Sequence, residues 1–341
     1  MDINSLLKTL PQNSTIFDSF VKANSLVNTG KFKRIICSVS GGSDSDLIVD
    51  IISKLTPDAE YVYFNTGLEY QATKDHLTYL EQKYGIEIKR IRAKTPVPLA
   101  CKMTGQPFIS KLVSEYMSRL QRNDFQWQDK PYEELIKEYP KCISAIDWWC
   151  NHKGRGMETS FFNINRNKYL KEFIIQNPPK FKISNKCCDL AKKQTAHGFT
   201  QPEDLNIVGI RKAEGGARIR YSSCTSLSEE GNTYRPIFWY TQEDKNDYEA
   251  YADIIHSRCY TEYGLKRTGC AGCPFGRDFE FELEVLEKYE PKLFKAVCNI
   301  FKDSYEYTRK YREYRLSKEK ETDNSKAGYQ TTIFDFIGED K

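Results

Sequence analysis

Two groups of residues in this sequence have the types and spacing that chemistry requires. The first is Ser40-Gly-Gly-Ser-Asp-Ser45, which follows a short apolar run. Glycines let a backbone approach a ligand closely, and free N–H groups at a helix start bind phosphate. The second group is Cys187-Cys188 with Cys270-Ala-Gly-Cys273, in which thiolates two residues apart on a turn can bind one metal. We therefore expect a phosphate-binding loop and a thiolate centre.

The segments around Ser40–Ser45 predict the elements that position it. Apolar and β-branched residues indicate a strand from Phe32 to Ser40, a helix at 46–55 and a second strand at 60–64. A helix at 73–84 and a strand at 86–91 follow, and a further strand at 205–210 resumes the pattern. Alternating strands and helices predict an α/β fold with a doubly wound parallel sheet.

The alternation of strands and helices also indicates where the domains begin and end. It stops between the third strand and residue 185, where tryptophans and basic residues occur in helical patterns. We predict the following organisation: a helical preface at 1–30, a nucleotide-binding domain at 31–95 and 186–280, an inserted basic helical subdomain at 96–185, C-terminal helices at 281–316 and a charged tail at 317–341.

Composition excludes several classes of protein. With 39% hydrophobic residues and a mean hydropathy of −0.64, the chain is typical of a folded protein with a solvated surface. No apolar run approaches the roughly 18 residues of a membrane span, and the start resembles no leader, so we expect a cytosolic protein. Eleven cysteines in a reducing compartment indicate a metal or redox site rather than disulfides.

Three motifs, in this order, resemble those of one family. Ser40–Ser45 is similar to the PP-loop, Ser-Gly-Gly-x-Asp-Ser, of the adenine nucleotide α-hydrolase superfamily. Asn65-Thr-Gly-Leu-Glu69 resembles the Asp-Thr-Gly-x-Glu segment of its PAPS reductase branch, with Asn65 replacing the aspartate. The stretch from Gly209 to Arg218 is similar to Gly-x-Arg-x-x-Glu-Ser-x-x-Arg of that branch. The resemblance covers most of residues 32–277 outside the insertion.

The resemblance implies a bound adenine nucleotide, with ATP favoured because the loop is intact. The residues expected to bind it are Ser38, Ser40, Gly41, Gly42, Ser43, Asp44, Ser45, Asn65, Thr66, Gly67, Glu69 and Arg211. Three catalytic roles are expected: Asp44 helps to bind Mg²⁺, while Arg211 and Arg218 stabilise charge at the α-phosphate as pyrophosphate leaves.

The cysteine spacing resembles the Cys-Cys and Cys-x-x-Cys pattern that holds a [4Fe–4S] cluster in APS reductases. The metal ligands that this implies are Cys187, Cys188, Cys270 and Cys273. Two other interpretations stay open: a zinc ion bound by Cys270, Cys273, Cys224 and one of the adjacent pair, or buried thiols without a ligand.

One departure from the reductases affects the expected function. They attack the sulfonucleotide with a cysteine in a C-terminal Glu-Cys-Gly-Leu-His segment, whereas no cysteine follows Cys298 in the present sequence. This favours a sulfur transfer to a nucleic acid or small acceptor, similar to that of DNA phosphorothioation sulfurtransferases. The alternatives are an APS or PAPS reductase with Cys224 as nucleophile, and a non-catalytic nucleotide-sensing or nucleic-acid-binding regulator.

The segment 141–193 is the predicted contact for a nucleic acid. It holds 11 Lys and Arg against 4 Asp and Glu and includes Trp148 and Trp149, which could stack on bases. A solvated helix face and a pair of core tryptophans explain the same residues. The other predicted partners are a sulfur or electron donor protein and a second copy of the chain in a homodimer.

Overall fold

The computed structural model describes residues 3–152 and 163–334, with residues 217 and 323–334 described by their backbone alone. Residues 153–162 of the basic segment and 335–341 of the predicted tail lie outside these ranges. The chain forms two compact units. The first contains residues 1–100, 188–273 and 278–297, and the second contains 101–187, 274–277 and 298–341. No helix in the described ranges is long and apolar enough to cross a membrane.

The first unit is built on one six-stranded sheet, which confirms the predicted α/β class. Its strands are β1 (Ile35–Ser38), β2 (Ala59–Asn65), β3 (Ile88–Arg92), β4 (Leu205–Val208), β5 (Thr225–Ser228) and β6 (Gly231–Tyr234). They lie in the order β3-β2-β1-β4-β6-β5, and all pairs are parallel except β5 with β6. Ile35 lies opposite Ala59 of β2 and Leu205 of β4, so β1 is a central strand.

Sixteen α-helices are described. The first five are α1 (Ile3–Thr9), α2 (Ser14–Val27), α3 (Ser43–Leu55), α4 (Gln71–Tyr84) and α5 (Val97–Thr104). The next four are α6 (Lys111–Gln121), α7 (Tyr132–Glu138), α8 (Ile143–Trp149) and α9 (Leu170–Gln176). The remainder are α10 (Lys186–Cys188), α11 (Gln194–Phe199), α12 (Gln242–Tyr251), α13 (Arg258–Thr261), α14 (Phe279–Tyr289), α15 (Pro291–Ile300) and α16 (Lys302–Phe334).

The core of the first unit lies on the faces of its central strands. Ile36, Cys37 and Ile207 are fully buried, and Cys37 and Ile207 share one apolar core with Leu47 and Ile51 of α3. A strand that is buried on both faces has a continuous apolar sequence, and this explains why β1 and β4 were evident from the sequence. At the beginning of these strands, Arg34 Nε donates to Asp204 Oδ1 over 3.0 Å.

The second unit has an aromatic core of its own. Trp148 and Trp149 are both buried in it, and the Trp149 indole N–H donates to the Gln128 carbonyl at 3.0 Å. These two rings are therefore unavailable for stacking on nucleic-acid bases. Tyr307 and Tyr311 of α16 belong to the same core.

The segment predicted as a charged tail differs in the structure, because α16 continues through residue 334. Its sequence is rich in Lys, Arg and Glu, which are strong helix formers. Oppositely charged residues one turn apart add support, as between Arg315 and Glu319, whose Nε and Oε1 atoms are 3.8 Å apart.

Replacing a core tryptophan tests this packing. We expect Trp149→Ala to lower the free energy of unfolding by about 3–5 kcal/mol, because the indole leaves a large cavity. Trp239→Ala, at a half-exposed position in the first unit, is the matched control and is expected to cost less than about 1 kcal/mol. Urea unfolding followed by circular dichroism measures both values, and equal losses would contradict the assignment of Trp149 to a core.

Candidate functional site

The phosphate loop, residues 40–45, connects the end of β1 to the start of α3. The Ser45 hydroxyl accepts a hydrogen bond from the Gly42 N–H at 3.1 Å and donates to the Gly42 carbonyl at 2.8 Å, which closes the turn. The Ser43 N–H donates to the Tyr260 hydroxyl at 3.1 Å. Gly41 has a φ of 67°, and a Cβ there would lie 2.7 Å from Thr73 Cγ2, so both conformation and space require glycine.

Gly209, after β4, lies against the first turn of α3. A Cβ at this position would be 2.8 Å from the Asp44 carbonyl oxygen and 3.2 Å from the Ser45 nitrogen. This close approach brings the residues after β4 alongside the phosphate loop. Glycine is therefore required here by the neighbouring backbone and not by its own φ.

A cavity of about 420 Å³ opens over the phosphate loop and is called the anion cavity below. Its lining is mostly polar and includes all the loop residues except Gly41. The charged side chains that line it are Asp44, Arg211, Glu214, Arg218, Lys245, Glu249, His256, Lys266 and Arg267. Cations exceed anions among them, as a phosphate site requires.

Asp44 is held by two of these cations. Its Oδ1 atom accepts a hydrogen bond from Arg211 Nε at 3.0 Å and from Lys245 Nζ at 2.8 Å. Arg211 and Lys245 are both buried. The predicted catalytic residues Asp44 and Arg211 are thus in direct contact, while Arg218 lines the same cavity and pairs with Glu214 at 2.9 Å.

A second ionic group, which sequence reasoning missed, supports the same cavity. His256 lies between two carboxylates, with Nδ1 2.7 Å from Asp46 Oδ2 and Nε2 2.8 Å from Glu249 Oε1. Asp46 Oδ1 also contacts His76 Nε2 at 2.9 Å. Burial alone lowers the pKa of His256, but the hydrogen bonds and charges of Asp46 and Glu249 raise it to about 9. His256 is therefore an imidazolium at neutral pH.

The turn after β2, predicted to line the nucleotide site, lies beside one of the predicted metal-binding cysteines. The Glu69 carboxylate accepts hydrogen bonds from Thr66 and from the Gly67 N–H, and Asn65 Oδ1 accepts another from Gly67. None of these four residues lines the anion cavity. Instead the Thr66 hydroxyl lies 3.4 Å from Cys270 Sγ. This turn therefore contacts the Cys270–Cys273 loop.

Three cysteines of the first unit lie near enough to one lysine for their charges to raise its pKa. The charge of Cys270 raises the pKa of Lys192 most, and Cys188 and Cys273 contribute to the same shift. In return, Lys192 lowers the pKa of Cys270, although burial raises it overall. Cys188, Cys270 and Cys273 are called the thiol cluster below. Lys192 lies within a π-helical turn at Asp189–Lys193. In the sequence, only its four-residue spacing from Cys188 could have indicated a position near the thiols.

The other two candidate ligands, Cys187 and Cys224, are not among the three cysteines of the thiol cluster. Cys187 precedes Cys188 in the chain and is a buried residue of the second unit. Cys224 is buried in the core of the first unit, where it lines a cavity with Tyr234 and Trp239. It does not line the anion cavity.

The donor atoms of the thiol cluster and those of the phosphate loop suit different metal centres. Within the described ranges, no three His, Cys, Asp or Glu side chains are close enough together to hold a metal ion. The thiol cluster offers soft sulfur ligands near a cation, and these are the donors that iron–sulfur clusters and zinc take. At the phosphate loop the only candidate carboxylate, Asp44, already binds two cations. That arrangement does not fit a magnesium ion held by the protein.

Comparison with known proteins gives three findings. The model of the phosphoadenosine phosphosulfate reductase domain matches residues 34–141. An adenosine 5'-phosphosulfate reductase from Staphylococcus epidermidis is 37% identical over 211 residues, covering 60% of this chain and 76% of that protein. An uncharacterized protein from Methanocaldococcus jannaschii is 25% identical over 277 residues, covering 80% of this chain but only 42% of that protein. The chain therefore spans less than half the length of this second relative.

Among solved structures, a phosphoadenylyl-sulfate reductase from Candida auris, crystallised with phosphate, has 14% sequence identity and a TM-score of 0.39. The similarity covers 79% of this chain and 93% of the fungal chain.

The close approach at Gly209 can be tested with an added methyl group. We expect Gly209→Ala to lower the free energy of unfolding by about 1–3 kcal/mol, because backbone atoms of α3 must move. Gly198→Ala is the matched control, since nothing lies within 4 Å of a Cβ there. Thermal unfolding of the three proteins measures the effect, and an unchanged melting temperature for Gly209→Ala would contradict this geometry.

The His256 network predicts a pH-dependent contribution to stability. The folded-state pKa of His256, about 9, lies above its ordinary value of 6.5. The network's stabilisation is therefore fully present below pH 6.5 and is lost as the pH rises through 9. We expect His256→Gln to cost about 2 kcal/mol at pH 6 and much less at pH 10. Urea unfolding at both pH values measures this difference, with His197→Gln at an exposed position as the control. A loss that is the same at both pH values would show that the imidazolium is not the stabilising form.

Proposed function

The chain belongs to the phosphoadenosine phosphosulfate reductase family, and from this premise we propose that it is an enzyme that binds ATP in the anion cavity and uses it for sulfur transfer. The observation that carries the proposal is the excess of cations around an intact phosphate loop at the start of a helix. Backbone N–H groups at a helix start, together with buried arginine and lysine, are suited to a chain of phosphates.

The proposed reaction begins at the α-phosphate. An oxygen of the acceptor attacks the α-phosphorus, a new P–O bond forms, and the bond to the β-phosphate breaks with release of pyrophosphate. Such a step depends on oriented donors rather than on a protein nucleophile. Arg211 and Arg218 would stabilise the charge that develops on the phosphates. A sulfur nucleophile then displaces AMP from the activated acceptor.

The thiol cluster is the proposed place for an iron–sulfur centre, with Cys187 as the fourth ligand. Bound there, such a centre would supply iron that can accept electrons or coordinate sulfur. Lys192 would balance part of the negative charge of the thiolates. The Thr66 hydroxyl lies beside the Cys270 sulfur, and it donates its proton to Glu69, which holds the turn that carries Thr66.

The proposed acceptor is a nucleic acid or a small molecule. Support for a nucleic acid comes from exposed cations of the second unit, among them Arg166, Lys168, Lys180 and Lys182. These residues can contact phosphates, but the burial of Trp148 and Trp149 removes the stacking that the sequence suggested. Binding through this segment is therefore proposed to be electrostatic and to weaken with salt.

A second candidate is the reduction of adenosine phosphosulfate, which the 37% identity to the Staphylococcus epidermidis enzyme favours. This reaction needs a cysteine thiolate that attacks the sulfur atom of the substrate. Cys224 is badly placed for it because it is buried at a different cavity. We therefore rank ATP-dependent sulfur transfer first.

The metal content of protein purified without oxygen tests the thiol cluster. We expect broad absorbance near 400 nm with about four iron and four sulfide per chain. Cys270→Ser and Cys273→Ser are expected to lose both, because each removes a proposed ligand. Cys150→Ser, which alters a half-buried thiol of the second unit, should retain them. One zinc per chain without sulfide would contradict the iron–sulfur proposal.

Nucleotide turnover tests the chemistry. We expect ATP to yield AMP and pyrophosphate in multiple turnovers when single-stranded and duplex nucleic acids or small acceptors are supplied with sulfide. Arg211→Met is expected to lower kcat by about 10²–10³-fold, since it removes a charge beside the phosphates. Arg90→Met, on exposed β3, serves as the control. Binding of ATP without pyrophosphate release would favour a nucleotide-sensing regulator, and conversion of adenosine phosphosulfate to sulfite and AMP would favour the reductase.

A further inference from the structure

Lys245 holds a position in the anion cavity that metal ions often occupy in phosphate sites. Its Nζ atom lies 2.6 Å from Ser43 Oγ and 2.8 Å from Asp44 Oδ1, so the ammonium bridges a hydroxyl and a carboxylate of the phosphate loop. One hydroxyl and one carboxylate are also the protein ligands that a phosphate-bound magnesium ion takes in many nucleotide sites. A magnesium ion bound to these two oxygens would have to displace the ammonium.

The surroundings of Lys245 keep the ammonium in place. The residue is only 5% exposed, and Glu249 Oε1, one helical turn further along α12, lies 3.5 Å from Nζ. Glu249 is in turn fixed by His256. The charge of Lys245 is therefore opposed by two carboxylates, which makes loss of its proton or withdrawal from the loop unfavourable.

The first turn of α12 is anchored as well. The Thr241 hydroxyl accepts from the Asp244 N–H at 3.1 Å, and Asp244 Oδ2 accepts from the Thr241 N–H at 2.8 Å. Asn13, which caps the start of α2, donates from its side-chain amide to Asp244 Oδ1 at 2.8 Å. Since this capping fixes the residue before Lys245, the side chain reaches the phosphate loop from a rigid base.

We propose that the Lys245 ammonium is a built-in cation of the phosphate site, so that this protein binds the pyrophosphate portion of a nucleoside triphosphate without a divalent metal ion. The inference deepens the proposed function and rests on it, because it assumes that the anion cavity takes a polyphosphate. It assigns Lys245 as a substrate-binding residue that favours triphosphates over monophosphates. Arg211 contacts the same carboxylate oxygen of Asp44 as Lys245 does, so two positive charges lie beside this oxygen.

The test compares polyphosphate binding with and without metal. Isothermal titration calorimetry with ATP, and separately with inorganic pyrophosphate, is performed in excess EDTA and in excess Mg²⁺. For the wild-type protein we expect dissociation constants that differ by less than about threefold between the two buffers. For Lys245→Met we expect a loss of roughly 10- to 100-fold in EDTA, partly restored by Mg²⁺, which can enter the vacated position. AMP binding should change little.

Two further variants separate a local role from a general effect of charge. Lys266→Met removes the same charge from the same cavity, at a residue that the structure leaves exposed. We expect it to weaken ATP binding by a similar factor in both buffers, because its effect is at longer range. Lys245→Arg keeps the charge and is expected to bind ATP in EDTA, so it reports on the site even if Lys245→Met fails to fold.

The outcomes distinguish this inference from the function on which it rests. Wild-type protein that binds ATP only with Mg²⁺, or a Lys245→Met protein weakened equally in both buffers, would overturn the role of Lys245 and leave ATP binding intact. Wild-type protein that binds neither ATP nor pyrophosphate in either buffer would overturn both. Metal-independent binding by the wild type together with Mg²⁺-dependent binding by Lys245→Met supports the proposal.

Discussion

The contact between the backbone at Gly209 and the first turn of α3 determines how the anion cavity is formed. β1 and β4 lie side by side and run parallel, so the segments that follow them leave the sheet at the same edge. The chain turns from β1 toward β2 on one side and returns as β4 on the other, which creates the crevice where open α/β sheets bind ligands. Only a residue without a side chain allows the two segments to meet, and Arg211 reaches Asp44 because they do.

The buried and half-buried charges at this edge are arranged in groups of opposite sign. Asp44 binds Arg211 and Lys245, Glu214 binds Arg218, and Asp46 with Glu249 encloses His256. Burying an unpaired charge costs several kcal/mol, so the buried cations of this cavity need such partners when no ligand is bound. The pairs also orient the cations, which would lower the entropy lost on binding the proposed polyphosphate.

The same edge of the sheet carries a second chemical environment. The turn after β2 presents Thr66 to Cys270, and the Ala271 N–H donates to the Leu68 carbonyl at 2.8 Å. Polar and charged side chains therefore follow β1 and β4, while the thiol of Cys270 lies beside the turn that follows β2. The two environments belong to the same unit.

The sequence predicted the elements whose patterns are local. The buried strands β1, β2 and β4 and the glycine loop were evident because apolar runs and loop glycines have strong local signals. The β5–β6 hairpin was missed because its loop, Glu229-Glu230, lacks the Asn-Gly type of signal and its strands are partly polar. Lys245 and His256 were missed for another reason. They lie 201 and 210 residues from Asp44 and Asp46, the carboxylates that they contact, and nothing in the sequence indicates such pairs.

The late position of β4 in the sequence affects how the protein folds during synthesis. β1, β2 and β3 are neighbours in sequence and can pair as soon as they emerge, whereas Arg34 and Asp204, at the starts of β1 and β4, are 170 residues apart. Closing so long a loop slows folding. The edge of β1 that awaits β4 is unpaired in the meantime, and it is a natural target for chaperones or for mispairing with another nascent chain.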